Sequence, residues 1–188
     1  MSDTDRSGAS MSATASPWRR IAACLIDYFV FIVPLLGLLS LVAWVFLSLG
    51  INPLPDNAWA SHGIMILLLT LPIAAYFALC ESSRYRGTAG KVFMGVAVEI
   101  GNGEPASLKQ TAIRAIVKFL PWEFFHAIYW HWDGWPLDPA PPTTLQTIGL
   151  TVGWMVIGYF LLSLFIAPRR TPYDRAAGTV VMSRRSSA

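Results

Sequence analysis

The segment from Ile21 to Pro55 holds Asp27 as its only carboxylate or basic side chain, and no other feature narrows the possible folds as much. A helix from Arg20 to Leu49 would run about 45 Å at about 1.5 Å per residue, more than the roughly 30 Å of hydrocarbon in a bilayer. The surplus predicts tilt, an interfacial first turn, or a kink at Pro34 near Gly37. The whole chain has 188 residues, 54% apolar and 13% charged. In water a fold of this size leaves much of its area facing solvent and could not hide so much apolar surface. Lipid removes that constraint, and the eight Trp and six Tyr suit rings that settle at headgroup level.

Other segments repeat the pattern. Asn57 to Cys80 is uncharged, with Pro72 as a further kink position, and Pro139 to Pro168 is uncharged as well. Leu108 to Trp130 is helical in pattern but contains Arg114, Lys118, Glu123 and His126. It either crosses with those groups facing other helices or lies amphipathically along the interface. Basic residues outside these runs fall in the amino-terminal segment, in Glu81 to Lys109 and in the carboxyl tail, whereas the loops around Asp56 and Asp133 have none. Cytoplasmic loops collect Lys and Arg, so four crossings at approximately 21–49, 58–80, 108–130 and 144–167 are expected, with both termini cytoplasmic.

Residues 1–17, rich in Ser, Ala, Thr and Asp, read as a disordered cytoplasmic tail, 18–182 as the transmembrane domain and 183–188 as a second tail. Val96, Val98 and Ile100 alternate with Ala97 and Glu99 before Gly101-Asn102-Gly103, the pattern of a strand entering a hairpin. Thr179 to Met182 is its candidate partner. The expected fold class is an all-α membrane protein: a four-helix transmembrane bundle with a small cytoplasmic β-hairpin element.

Asp27 is the most informative side chain. A carboxylate near a helix centre costs about 2.5–3.5 kcal/mol on insertion scales, against a gain of about 0.3–0.6 kcal/mol per Leu, Ile, Val or Phe. It must be neutralised, paired or wetted. Arg20 lies seven residues earlier, about 10.5 Å along the axis, and Arg114 and Lys118, four apart on one helical face, are alternative partners. Asp27 is then either a titratable group in an ion or proton path or one half of a structural ion pair.

Gly149 and Gly153, with the milder pair Ala74 and Ala78, allow close helix approach. His126, His131 and Asp133 lack metal-ligand spacing. With Tyr129, Trp130, Trp132 and Trp135 the histidines read as an interfacial aromatic belt. Cys24 and Cys80 read as free thiols. Gly87-Thr88-Ala89-Gly90-Lys91 looks only superficially like a phosphate loop, and there is no nucleophile elbow, Walker loop or HExxH. No enzyme, cofactor or metal is expected. Basic patches beside spans point to lipid headgroups and not to nucleic acid.

Three segments in order resemble the RDD family of membrane proteins, named for one Arg and two Asp. Trp18 to Asp27 matches its opening pattern, with Arg20 at the helix start and Asp27 inside it. Gly87-Thr88-Ala89-Gly90-Lys91 followed by Gly95 to Val98 is similar to its turn and short strand. Tyr173 to Val181 is similar to its closing segment and makes Asp174 the second Asp. Tyr173 stands where the family commonly has His, and the loop around Asp133 is longer than usual. The resemblance implies a plasma-membrane protein, in the inner membrane if bacterial. Its family is generally of undefined molecular function, with cation/proton antiport proposed for some members. The leading expectation is a small transporter in which Asp27 takes a proton or cation and Arg20 and Asp174 shape the cytoplasmic mouth. A four-helix bundle is narrow, so such a path would call for a homo-oligomer. The alternative is a non-transporting accessory or assembly protein whose Arg and Asp residues are structural.

Overall fold

A computed structural model describes residues 14–134 and 139–184. Four long helices dominate: Pro17–Ser48, Ala58–Ser82, Leu108–Trp130 and Thr144–Leu162. The first, second and fourth are apolar and long enough to cross a membrane. The third is 23 residues long and so has the length, but Lys109, Arg114, Lys118 and Glu123 lower its hydropathy.

Both proline positions expected to disturb helices do so in the same way. Proline cannot donate a hydrogen bond and its ring crowds the carbonyl four residues back. Upstream of Pro34 the helix widens over Tyr28–Ile32, where the Val33 amide donates to the Tyr28 carbonyl five residues back. Upstream of Pro72 it widens over Ile66–Thr70, with the Leu71 amide donating to Ile66. The first of these bulges begins immediately after Asp27.

Starts and ends of helices carry the expected chemistry. Ser107 and Gln110 form a capping box on the third helix, and Thr143 and Gln146 one on the fourth. Between the helices, Leu69, Ile73, Phe77, Ala78 and Ala115 make an apolar core, flanked by Phe31, Leu35 and Phe119. Where the fourth helix meets the third, a Cβ on Gly153 would lie 2.7 Å from the Phe125 ring and one on Gly149 2.8 Å from Ile128 Cδ1. The small-residue pair thus serves packing within one chain.

Strands β1 (Val96–Ile100) and β2 (Thr179–Ser183) pair antiparallel, with Val98 opposite Val181. The partner expected for β1 is the one observed. The element is not the expected hairpin, however, because its two strands come from opposite sides of the third and fourth helices in the sequence. The glycine turn after β1 closes only a single bridge, Glu99 to Pro105. On its other side β2 takes in Thr14 and Ala15: Thr14 bridges Met182, and the Ala15 amide donates to the Val181 carbonyl at 2.9 Å. Ala15 is fully buried with Val96, Val98, Ala106 and Val181. Of the tail expected to be disordered, 1–17, the described residues from Thr14 onward are ordered instead, since burial against the sheet and the Ser16 cap fix them. Residues 1–13 and 185–188, and Trp135 and Asp138 of the Trp-rich loop, lie outside the described residues.

Candidate functional site

The first helix starts, the second ends, the third starts and the fourth ends at the same side of the bundle, where the sheet and two short helices, Ala89–Phe93 and Pro172–Ala176, are also found. That end gathers the buried charge.

Asp27 is 1% exposed. None of its three expected partners binds it. Its Oδ1 instead accepts from the Tyr76 hydroxyl at 3.0 Å and the Gly90 amide at 2.8 Å, and its Oδ2 accepts from the Thr88 hydroxyl at 2.5 Å. Arg20, Arg114 and Lys118 were expected from helical faces alone, but the segment after the second helix folds back and fills the space between. Gly90 makes this approach possible, because a Cβ there would sit 2.0 Å from the Ala23 carbonyl oxygen. Phe31 stacks on Tyr76 with ring centroids 4.3 Å apart and so holds the phenol in place. The Gly87–Lys91 turn, set aside as a phosphate loop, turns out to be the carboxylate's cradle.

Arg20 and Arg114 belong to a second constellation. Arg20 donates to Asp174 Oδ2 at 2.6 Å and to the Arg169 carbonyl at 2.7 Å. Arg114 binds Asp174 Oδ1 and donates to Thr179 Oγ1 at 3.0 Å. Its Nε lies 2.8 Å from Glu81 Oε2 as a charge contact without an aligned hydrogen bond. Glu81 in turn pairs with Lys91. Lys91, Glu81, Arg114, Asp174 and Arg20 thus alternate in sign through five segments of chain, all of them buried. Asp174 also caps its own short helix, accepting from the Thr171 amide at 3.0 Å. Burial pushes the Lys91 ammonium down from 10.5 to about 7, against the pull of Glu81 in the other direction.

Lys118 stands apart from this chain. Among the described residues it has no carboxylate within ion-pair distance, and its ammonium lies 3.5 Å from the centroid of the Phe77 ring.

Glu81 is the member that sequence reasoning missed. It closes an uncharged run and reads as the first residue of a loop, and nothing in its spacing links it to Arg114. At the opposite end of the bundle a smaller polar group forms around Glu123, which accepts from Thr70 and lies 3.0 Å from His126 Nδ1 and 3.4 Å from His62 Nε2. In the sequence His62 stands alone, with no acidic or basic residue beside it from Asn57 to Cys80. His131 contacts the Ala127 carbonyl at 2.8 Å. No group of three or more His, Cys, Asp and Glu suited to a metal ion occurs among the described residues.

Apolar helices of crossing length, joined at one end by a buried network of ion pairs, define a multi-pass, mostly helical membrane protein that lives in a lipid bilayer. The chain belongs to the RDD family, whose model matches residues 14–178, nearly its whole length. The match spans Arg20, Asp27 and Asp174, the three residues on which the resemblance in the sequence rested. No curated protein and no solved structure matches it.

Proposed function

We propose that this chain is a four-crossing, non-enzymatic membrane protein of the accessory or assembly type, in which the Arg and Asp residues lock one end of the bundle. In this reading the locked end is cytoplasmic, with both termini on that side, as its excess of Lys and Arg favours. The third helix crosses with its charges turned inward: Arg114 toward Glu81 and Asp174, Glu123 toward Thr70 and His62.

One observation carries the proposal. Asp27 has both oxygens occupied by three donors from the chain, two hydroxyls and an amide. A carboxylate so bound is held still by three fixed partners, which suits a fastener better than a proton carrier that must change partners. Two features add support. On the second helix Ile73 lies between Thr70, which holds Glu123, and Tyr76, which holds Asp27, and packs in one apolar cluster with Leu69 and Phe77. The cavity beside Asp27 is walled by Arg20, Lys91, Arg114 and Lys118, which would repel a cation. Far from the lock, the first and fourth helices present Leu41, Trp44, Leu47, Ile148, Val152 and Met155 outward, apolar surface on which lipid or other membrane chains can pack.

Transport through Asp27 is the rival, and one experiment separates the two. Purified protein in liposomes holding a pH dye is exposed to gradients of several cations, using wild type and Asp27→Asn. The structural reading expects no cation-dependent proton flux from wild type. Flux that vanishes in a stably folded Asp27→Asn protein would establish transport instead.

A further inference from the structure

At the basic end, between the first, third and fourth long helices, lies a cavity of about 260 Å³. One wall is Arg20, Lys91, Arg114, Lys118 and the Tyr173 ring; another is Leu25, Leu161 and Leu164. We propose that this cavity binds the phosphate of an anionic phospholipid headgroup.

The lining suits an anion. Four basic side chains line the space, and three carboxylates, Asp27, Glu81 and Asp174, stand within or behind its wall. Asp27 is already taken up by the Thr88 and Tyr76 hydroxyls and the Gly90 amide. Glu81 and Asp174 are shared among Lys91, Arg114 and Arg20. Among the described residues Lys118 alone of the four pairs with no carboxylate, and it rests on Phe77. An anion bound there would give Lys118 a charged partner.

The walls indicate where the anion comes from. Leu25 is 56% exposed and Leu161 52% exposed, so the apolar wall runs out of the cavity onto the lipid-facing surface. Trp18 and Phe165, in edge contact with centroids 5.5 Å apart, mark headgroup level at the same end. The cavity is smaller than the roughly 300–1,000 Å³ of sites that enclose a drug-sized ligand. It can admit a headgroup whose acyl chains stay outside along Leu25 and Leu161. A free phosphate would satisfy the cations but leave that apolar path without purpose. The proposal shares the bilayer placement of the preceding section but does not depend on whether Asp27 moves a proton.

Detergent-purified full-length protein is titrated with short-chain phosphatidylglycerol, short-chain phosphatidylcholine or inorganic phosphate, and thermal stability is read by Trp fluorescence. Phosphatidylglycerol should raise the transition temperature saturably, while phosphatidylcholine and inorganic phosphate at equal concentration should leave it near its starting value. In Lys118→Gln the half-saturating concentration should rise at least about five-fold, the effect of one basic contact to an anionic headgroup. Lys118 holds no other part of the charge network together, so this variant should fold. A second readout needs no variant: Cys24 is exposed and lines the cavity. Its alkylation, followed by peptide mass spectrometry, should slow with phosphatidylglycerol and not with phosphatidylcholine. Equal responses to the two lipids, undiminished binding by Lys118→Gln, or inorganic phosphate acting as strongly as the lipid would each overturn the assignment.

Discussion

Replacing Asp27 tests whether the residue fastens the fold. The carboxylate receives three hydrogen bonds, two of them to Oδ1 from Tyr76 and Gly90 and one to Oδ2 from Thr88. In Asp27→Asn the amide oxygen can keep the Gly90 and Tyr76 bonds, and the Thr88 hydroxyl can turn to accept from the new NH2 group. Charge assistance is lost, at about 1 kcal/mol per bond. The cost of keeping a charge out of water vanishes with it, so a net loss of about 1–2 kcal/mol is expected. In Asp27→Ala the Gly90 amide and Thr88 hydroxyl are buried with no acceptor and the Tyr76 hydroxyl loses one, at about 1–3 kcal/mol for each buried group. The sum of about 3–9 kcal/mol is offset in part by the charge no longer held from water, which leaves about 3–6 kcal/mol. For a chain of this size about 2–4 °C per kcal/mol applies. Transition temperatures should then fall by about 2–8 °C in Asp27→Asn and about 6–24 °C in Asp27→Ala. Trp fluorescence of detergent-solubilised protein during heating, with size-exclusion profiles as a check on folding, measures both. If Asp27→Ala proves as stable as wild type, or Asp27→Asn falls as far as Asp27→Ala, the fastening role is wrong.

Arg114→Met removes the cation between Glu81 and Asp174 and should cost about 3–5 kcal/mol, since breaking one side of a buried pair leaves charge uncompensated. Pairing it with Glu81→Leu should recover part of that loss in the same thermal assay. Gly90→Ala should abolish monodisperse protein, because its Cβ would meet the Ala23 carbonyl oxygen at 2.0 Å, whereas Gly158→Ala, with nothing within 4 Å, should express normally. Lys91 has a folded-state value lowered to about 7, so between there and its unfolded value the unfolded chain binds more protons. The Lys91 contribution should therefore raise stability as pH climbs from about 7 to 10. The difference between wild type and Lys91→Met, measured across that range, isolates it, and a difference that falls with pH would contradict the direction of the shift.

Much of the frame was legible beforehand. The long uncharged runs gave three helices of crossing length, Pro34 and Pro72 marked the disturbed turns, and two β-branched segments found each other across some eighty residues of chain. Arg20, Asp27 and Asp174 were singled out, and all three are buried. Their partners were not legible. Helical spacing says which side chains share a face, but not how two helices are rotated or slid against one another. Arg20 and Asp27 do lie on one buried side of their helix, yet they bind different elements. Glu81 looked like loop and His62 like an isolated residue for the same reason: each finds its partner on the third helix, more than thirty positions away.

Hydropathy and backbone chemistry act over a turn or a run of side chains, so the sequence alone determined that this chain belongs in a bilayer, where its helices lie and which turns proline disturbs. A buried charge is decided differently. Its energy depends on the few donors and acceptors within about 3 Å, and here these come from as many as five separate segments. Only their assembly in three dimensions could settle that Asp27 is held by two hydroxyls and an amide, while Arg20, Arg114, Glu81, Asp174 and Lys91 hold one another.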